Sequence, residues 1–341
     1  MRVSADPMGS SRMTDGFGRR IDYLRISVTD RCDLRCRYCM AEKMTFLPRK
    51  DVLSLEEIAI IADRFIARGV RKIRLSGGEP LVRRDFLELA RRIGRHLDAG
   101  GLDELTLTTN GTRLAEHAEA LVDAGMRRIN VSLDSLDPDR FAHITRGGEL
   151  AKVLAGIEAA HAAGLRVKIN MVALKGLNEA EILPMLRWCA DHGHDLTLIE
   201  TMPLGDTGED RTDRYMPLSQ ALMQIEAAHP LAPLPYRSGG PARYFAPQEM
   251  EHIRLGLITP LSDNFCAGCN RMRLTCEGKI FMCLGHEDHV DLKTAYRTGG
   301  GDAVDAALDR ALIAKPLAHG FAIGEQGTQG QTRRHMSVTG G

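Results

Sequence analysis

Apolar positions along the chain switch repeatedly between an alternating period and a helical one. The alternating stretches predict strands over 24–28, 72–76, 105–108, 128–132, 166–172 and 196–200. Helical spacing fills the intervals: 55–68, 84–97, 115–124, segments up to 163, and 179–191. Ser54 and Glu57 form the signature of a capping box, and Gly69, Gly125 and Gly164 stand where helices stop. Asn110-Gly111 reads as a turn. Six strands separated by helices imply parallel pairing with right-handed crossovers. Eight units would close a full barrel, so six predict an open one. The expected architecture is α/β: a partial, open, six-unit βα TIM-like barrel with a smaller C-terminal domain. From 205 to 260 glycine, proline and charge rise, as an irregular connection would require, and 302–313 reads as a helix ahead of Pro316. The expected division is a flexible tail over 1–18, the barrel over 19–204, the connection and C-terminal domain over 205–326, and a tail over 327–341.

Composition narrows the class. Lys+Arg and Asp+Glu both total 45 in the 341 residues, so no global field favours nucleic acid or an anionic membrane. No run approaches the ~20 apolar residues of a transmembrane helix. Residues 1–18 lack the apolar core of a secretory signal, so a cytoplasmic location is expected. Eight cysteines in such a chain argue for metal rather than disulfides. Cys189, inside an apolar helical pattern, reads as a buried small hydrophobe.

The other cysteines fall into two groups. Cys32, Cys36 and Cys39 lie within eight residues, directly after the first predicted strand. Three thiolates on a four-iron cluster leave one iron open for chemistry, whereas structural zinc wants four closed ligands. Gly77-Gly78-Glu79-Pro80 follows the second strand, where glycines permit close backbone approach. The second group is Cys266, Cys269 and Cys283. Here zinc stays open as a reading, completed by Cys276 or by His286 or His289. Arg271 and Arg273 would share one strand face. Arg25, Arg74 and Lys168 lie inside predicted strands, and inward cations demand anionic partners such as a triphosphate. No Walker A sequence is present.

The Cys-x3-Cys-x2-Cys spacing, with Tyr38 before the last cysteine, resembles the radical S-adenosylmethionine (SAM) enzymes. Leu24–Cys32, Ile73–Pro80, Thr108–Gly111, Arg128–Asp134, the Cys266–Arg273 segment with Cys283 and the terminal Gly340-Gly341 are similar to the GTP 3′,8-cyclase family of molybdenum cofactor synthesis. That resemblance implies a lyase with two [4Fe-4S] clusters. One, on Cys32, Cys36 and Cys39, would generate a 5′-deoxyadenosyl radical from SAM held near Tyr38, Gly78, Ser132 and Met202. The other, on Cys266, Cys269 and Cys283, would hold the guanine of GTP. It implies substrate contacts at Arg25, Arg74, Thr108, Lys168, Arg271, Met272 and Arg273, with Arg25, Gly340 and Gly341 needed for catalysis. The radical would take hydrogen from ribose C3′, and C3′ would attack C8. It also implies an electron donor of flavodoxin or ferredoxin type, a downstream cyclic pyranopterin monophosphate synthase, no nucleic acid or membrane partner, and admits a homodimer. Several family members carry Arg in the sixth strand, where this chain has Thr197. Two other readings remain: a radical SAM enzyme modifying a peptide or another small molecule, and a zinc-stabilised RNA- or protein-binding module.

Overall fold

The computed structural model describes residues 13–208, 213–250, 252–321 and 332–340. The first half alternates strand and helix: β1 (Tyr23–Ser27), α1 (Leu55–Ala67), β2 (Lys72–Ser76), α2 (Phe86–Asp98), β3 (Glu104–Thr109), α3 (Ala118–Asp123), β4 (Arg128–Ser132), α4 (Pro138–Thr145), α5 (Leu150–Ala162), β5 (Arg166–Ala173), α6 (Ile182–Asp191) and β6 (Asp195–Glu200). β1 to β6 pair in chain order and all in parallel. The capping box at α1 is made: Glu57 N–H donates to Ser54 Oγ and Ser54 N–H to Glu57 Oε2.

The second half is α7 (Leu218–Ala228), β7 (Leu231–Leu234), β8 (Arg243–Pro247), β9 (Leu255–Ile258), β10 (Arg271–Leu274), β11 (Lys279–Phe281), β12 (His289–Asp291), α8 (Leu292–Ile313) and α9 (Met336–Thr339). These strands extend both edges of the same sheet, whose order is β12-β11-β10-β1-β2-β3-β4-β5-β6-β9-β8-β7. β9 adds in parallel to β6 and β10 in parallel to β1. The sheet's two ends are not paired to one another, so the barrel is open. α8 begins ten residues before the helix expected at 302 and bends at Gly300, whose φ of 64° interrupts the helical run. It packs on α1, with ion pairs Arg64–Asp305 and Arg68–Asp309 between them.

Part of the expected N-terminal tail is folded. Ile21 N–H donates to Met13 O, Thr14 bridges Arg20, and Met13 is only 1% exposed. A buried methionine anchors this turn as no mobile tail could be anchored.

Alternation along the strands sorts side chains onto two faces. Leu24, Ile26, Ile73, Leu75, Leu105, Leu107, Ile129, Val131, Ile169, Leu196 and Leu198 lie in the apolar core. The residues between them are Tyr23, Arg25, Lys72, Arg74, Thr106, Thr108, Arg128, Asn130, Lys168, Asn170, Asp195 and Thr197. The face opposite the core is therefore mostly polar, with Val172 and Ile199 as apolar positions near the C-terminal ends of β5 and β6. An apolar lumen would have stabilised the sheet further, at roughly 1.5–3 kcal/mol per buried large side chain. A polar lumen makes room for a polar ligand instead.

Candidate functional site

The first cysteine triad follows β1 in an irregular loop pinned from outside. Arg35 and Arg37 N–H donate to Thr145 and Ile144 carbonyls at the end of α4, and Leu34 and Met40 are buried. Within the loop, Cys39 N–H donates to Cys36 O. Burial first, then the neighbouring thiols and carboxylates, pushes the Cys32 and Cys36 thiols well above the usual value. A metal would displace the protons of such thiols to solvent and supply the positive charge that a buried thiolate lacks. Asn110 Nδ2 reaches both Cys32 Sγ (3.7 Å) and Asp33 Oδ1 (2.6 Å), and Thr112 Oγ1 donates to Asp33 Oδ2 (2.6 Å).

The Gly-Gly-Glu-Pro turn zips onto this loop. Gly78 N–H donates to Thr29 O and Glu79 N–H to Arg31 O, both at 2.8 Å. A Cβ at Gly77 would lie 2.4 Å from Thr29 O, and one at Gly78 2.2 Å from Arg31 O, so no larger residue fits either place. The fully buried Glu79 carboxylate accepts from Leu81 N–H, Asn110 N–H and Thr109 Oγ1, tying β2 to β3. Burial pushes it up to about 7 despite those donors. Tyr38 OH donates to Asp134 Oδ2 (2.7 Å), while Val172 N–H donates to Asp134 Oδ1 (2.8 Å); burial raises that carboxyl to about 6. Gly78, Thr108, Ser132 and Met202 sit at or just past the C-terminal ends of β2, β3, β4 and β6. That is the end at which barrel sites are built.

The second triad lies at the other end of the lumen, not across the mouth. Cys266 and Cys269 precede β10, and Cys283 follows the antiparallel β11, so the hairpin brings all three to one end. Because β10 runs parallel to β1 and Tyr23 N–H donates to Asn270 O, that end is the N-terminal end of β1. The two triads are thus separated by the length of β1 and its approach, roughly 20 Å at ~3.3 Å per residue. Cys276 sits at the hairpin's far turn, is fully buried, and is pushed up to about 12 by burial and by Asp30 and Glu277. It does not join the triad. His286 bonds Ala318 O and His289 bonds Glu287 O, both at the surface. Among the described residues, no three His, Cys, Asp or Glu side chains are grouped to hold a single metal ion. Cys276, placed at the opposite turn, is removed as a fourth ligand for zinc at this triad. Cys189 is fully buried on α6, as expected.

Between the triads the lumen is crowded with cations. Register places Arg273, Arg25 and Arg74 side by side on β10, β1 and β2. Burial, then Arg273 and Arg74, holds Arg25 well below its usual value; burial and Arg271 hold Arg273 at about 10. Burial, then Arg74 and Arg128, does the same to Lys168, which donates to Tyr244 OH at 3.0 Å. Like charges so close are costly without an anion among them. Around them lie buried polar atoms with no hydrogen-bond partner among the described residues: Tyr23 OH, Arg74 Nε, Thr108 Oγ1, Asn130 Oδ1, Asn170 Oδ1 and Thr197 Oγ1. Six strands thus aim unsatisfied groups into one space, and native interiors rarely leave such groups unpaired. Thr197 faces Gly256 on β9, where a Cβ would lie 2.8 Å from Thr197 Oγ1.

The C-terminal segment enters this space. Arg273 Nη1 donates to Gly340 O (2.9 Å), and a Cβ on Gly340 would stand 2.0 Å from Ser76 Oγ. Gly341 lies outside the described residues. Met272 alternates away from its arginine neighbours into the core, so its side chain does not face the lumen. Sequence reasoning passed over Tyr23, Asn130, Asn170, Lys315 and Arg19. The first three carried a signal, because they continue the polar alternation of their strands; the last two carried none.

The donor chemistry fits iron clusters: each triad brings three free cysteines to one end of the lumen. Residues 26–189 match the model of the radical SAM superfamily, and 194–321 that of Molybdenum Cofactor Synthesis C. The GTP 3′,8-cyclase of Rhizobium meliloti (strain 1021) is 58% identical over 96% of this chain and 94% of its own. That of Rhodopseudomonas palustris (strain TIE-1) is 58% identical over 96% of each. Streptococcus suis SuiB bound to precursor peptide SuiA superposes with a TM-score of 0.58 at 14% identity, over 79% of this chain; the chain spans 61% of that one, and the likeness speaks for the fold alone. With its cysteine triad at the first strand's end and relatives this similar over nearly its full length, the chain belongs to the radical SAM superfamily and, within it, to the GTP 3′,8-cyclase family.

Proposed function

We propose that this chain is a radical SAM lyase that converts GTP to 3′,8-cyclo-7,8-dihydro-GTP, the first step of molybdenum cofactor synthesis, acting in the cytoplasm. The observation that carries this reading is the cation-lined, under-satisfied lumen between two cysteine triads. Cys32, Cys36 and Cys39 would hold one four-iron cluster, and Cys266, Cys269 and Cys283 another. When bound, the first cluster and SAM supply a 5′-deoxyadenosyl radical that removes the C3′ hydrogen of the substrate.

The protein's own residues supply placement. Tyr38 in the triad's loop and Gly78, Ser132 and Met202 at the strands' C-terminal ends would contact SAM. Arg25, Arg74, Lys168 and Arg273 neutralise the triphosphate, and the arginine forks match its oxygens. Arg271 stands beside the second triad, where the guanine would sit. A substrate fixed at both ends presents its ribose to one position in the lumen, which is the gain of orientation. Arg273 holds the C-terminal segment through Gly340, and together with Arg25 that segment would close the reaction space against water, which is the role proposed for the terminal Gly340-Gly341. A one-electron donor of flavodoxin or ferredoxin type, a downstream cyclic pyranopterin monophosphate synthase and a homodimer complete the reading.

The test is anaerobic reconstitution with SAM, reductant and GTP. About eight irons per chain, a product cyclised between C3′ and C8, and transfer of deuterium from C3′-labelled GTP into 5′-deoxyadenosine are expected. SAM cleavage without any GTP-derived product would sink the assignment.

A further inference from the structure

One buried cation stands at the second triad without having been needed for substrate binding. Lys315 follows α8 and is only 2% exposed. An ammonium has three N–H groups to place. Lys315 Nζ places them on Met282 O (2.6 Å), Arg271 O (3.0 Å) and Cys269 Sγ (3.6 Å). Met282 adjoins Cys283, and Arg271 lies two residues after Cys269. A single ammonium therefore spans both ligand-bearing ends of the β10–β11 hairpin. Among the described residues no carboxylate pairs with it. Its surroundings are held by Arg19, itself paired with Asp15, whose guanidinium donates to Cys266, Pro316 and Leu317 carbonyls at 2.6–2.8 Å. The same turn that buries Met13 thus fixes the third ligand and the segment carrying Lys315.

A buried cation facing only carbonyl dipoles is costly. The missing counter-charge is at hand if Cys269 is a thiolate on an iron–sulfur cluster, because a four-iron core with three thiolates is net anionic, and more so once reduced. At the first triad Cys32 Sγ receives a neutral amide from Asn110 and a backbone N–H from Leu34, while the Arg35 guanidinium reaches the Cys32 carbonyl rather than a sulfur.

We infer that Lys315 is a positioning and tuning residue of the second cluster: its charge draws the hairpin's ligands together and raises that cluster's reduction potential. The inference rests on the proposed second cluster. The tuned step is a one-electron reduction of the cluster by a low-potential one-electron donor, with no proton moved and Lys315 remaining an ammonium. Charge and hydrogen bonds to the sulfurs are recognised levers on such potentials.

The experiment uses the full chain with Cys32, Cys36 and Cys39 all changed to alanine, so that only the second cluster contributes. Lys315, Lys315→Met, Lys315→Gln and Lys315→Arg forms are reconstituted anaerobically. Iron is counted, and the cluster is titrated with dithionite while its paramagnetic resonance signal is followed. The neutral variants are expected to show a midpoint shifted to lower potential, with Lys315→Arg close to the parent. Loss of iron from both neutral variants, with retention in Lys315→Arg, would equally support a role for the charge. An unchanged midpoint in the neutral variants with iron intact would overturn the inference. So would Lys315→Arg behaving like Lys315→Met in midpoint or in iron loss, since packing alone would then be responsible. A background chain with Lys315 intact that binds no iron would overturn the second-cluster reading itself, and the inference with it.

Discussion

The two cysteine triads offer the same three ligands in different electrical settings, although burial raises Cys283 as it raises the thiols of the first triad. Around the first, Asp33, Glu79 and Asp134 gather, and burial with those carboxylates raises its thiols. Around the second, Arg271 and Lys315 outweigh the burial that would raise Cys269, and hold it below the usual thiol value. Ligand count therefore does not distinguish the sites; the charges beside them do. Under the proposed reading, an electron-rich setting suits a centre that must give an electron away. A cationic one suits a centre that must sit beside a polyanionic nucleotide. The fold keeps the two apart by mounting them at opposite ends of β1 and its parallel neighbour β10.

The strongest way to break this contrast is to remove each triad separately. Changing Cys32, Cys36 and Cys39 to alanine is expected to reduce both 5′-deoxyadenosine formation and GTP conversion to background. Changing Cys266, Cys269 and Cys283 should abolish GTP conversion while leaving slow reductive SAM cleavage. Equal loss of SAM cleavage in both, measured by chromatography of 5′-deoxyadenosine, would make the division of labour wrong.

The lumen between them is tested next. A charge-assisted hydrogen bond contributes about 1.5–3 kcal/mol, so Arg74→Ala or Lys168→Ala should weaken GTP binding by about 10- to 100-fold. Binding of SAM alone, read by calorimetry, should hardly change. Comparable losses for both ligands would place these cations at the wrong triad.

A smaller effect is expected at the C-terminal segment. Gly340→Ala puts a Cβ against Ser76 Oγ at a residue with φ of 76°. Overpacking of this kind costs about 1–3 kcal/mol if the segment stays in place; swinging the short C-terminal segment out relieves it, so GTP conversion should fall about tenfold or more while fold stability stays near that of the parent. A thermal midpoint lowered in step with activity would show that the segment merely packs.

The smallest effect sharpens the carboxylate side. Glu79 is raised to about 7 in the folded chain from an ordinary value of 4.5. Between those two values the folded state holds a proton that the unfolded state has lost, so stability falls as pH rises from about 4.5 to about 7 and is level above. The slope is about 1 kcal/mol per pH unit at most. Glu79→Gln should flatten it in urea denaturation of the cluster-free, reduced protein. An unaltered slope would mean that Glu79 is ionised throughout.

Much of this was legible in the chain. The six strands fall within a residue or two of their apolar alternation, because a sheet covered by helices on one face imposes that period on its sequence. The first triad and the glycine turn were legible because both are local: adjacent loops need short spacings and missing side chains. Arg25, Arg74 and Lys168 were legible as charges inside strands, which is unusual enough to ask for a reason. What the sequence could not show is everything made by register. It does not say that β9 and β10 extend the barrel from its two edges, that Arg273, Arg25 and Arg74 stand abreast, or that the second triad lies at the far end of the lumen. Nor does it separate Cys276 from Cys283, or mark Lys315 among the other lysines. Those facts depend on pairings between residues distant in the chain, such as Leu196 with Leu255 and, about 250 positions apart, Tyr23 with Arg271. Local propensity carries no record of such pairings. The residue types and their periods determined which chemistry the chain could carry; the long-range strand register decided where each charge and thiol would meet.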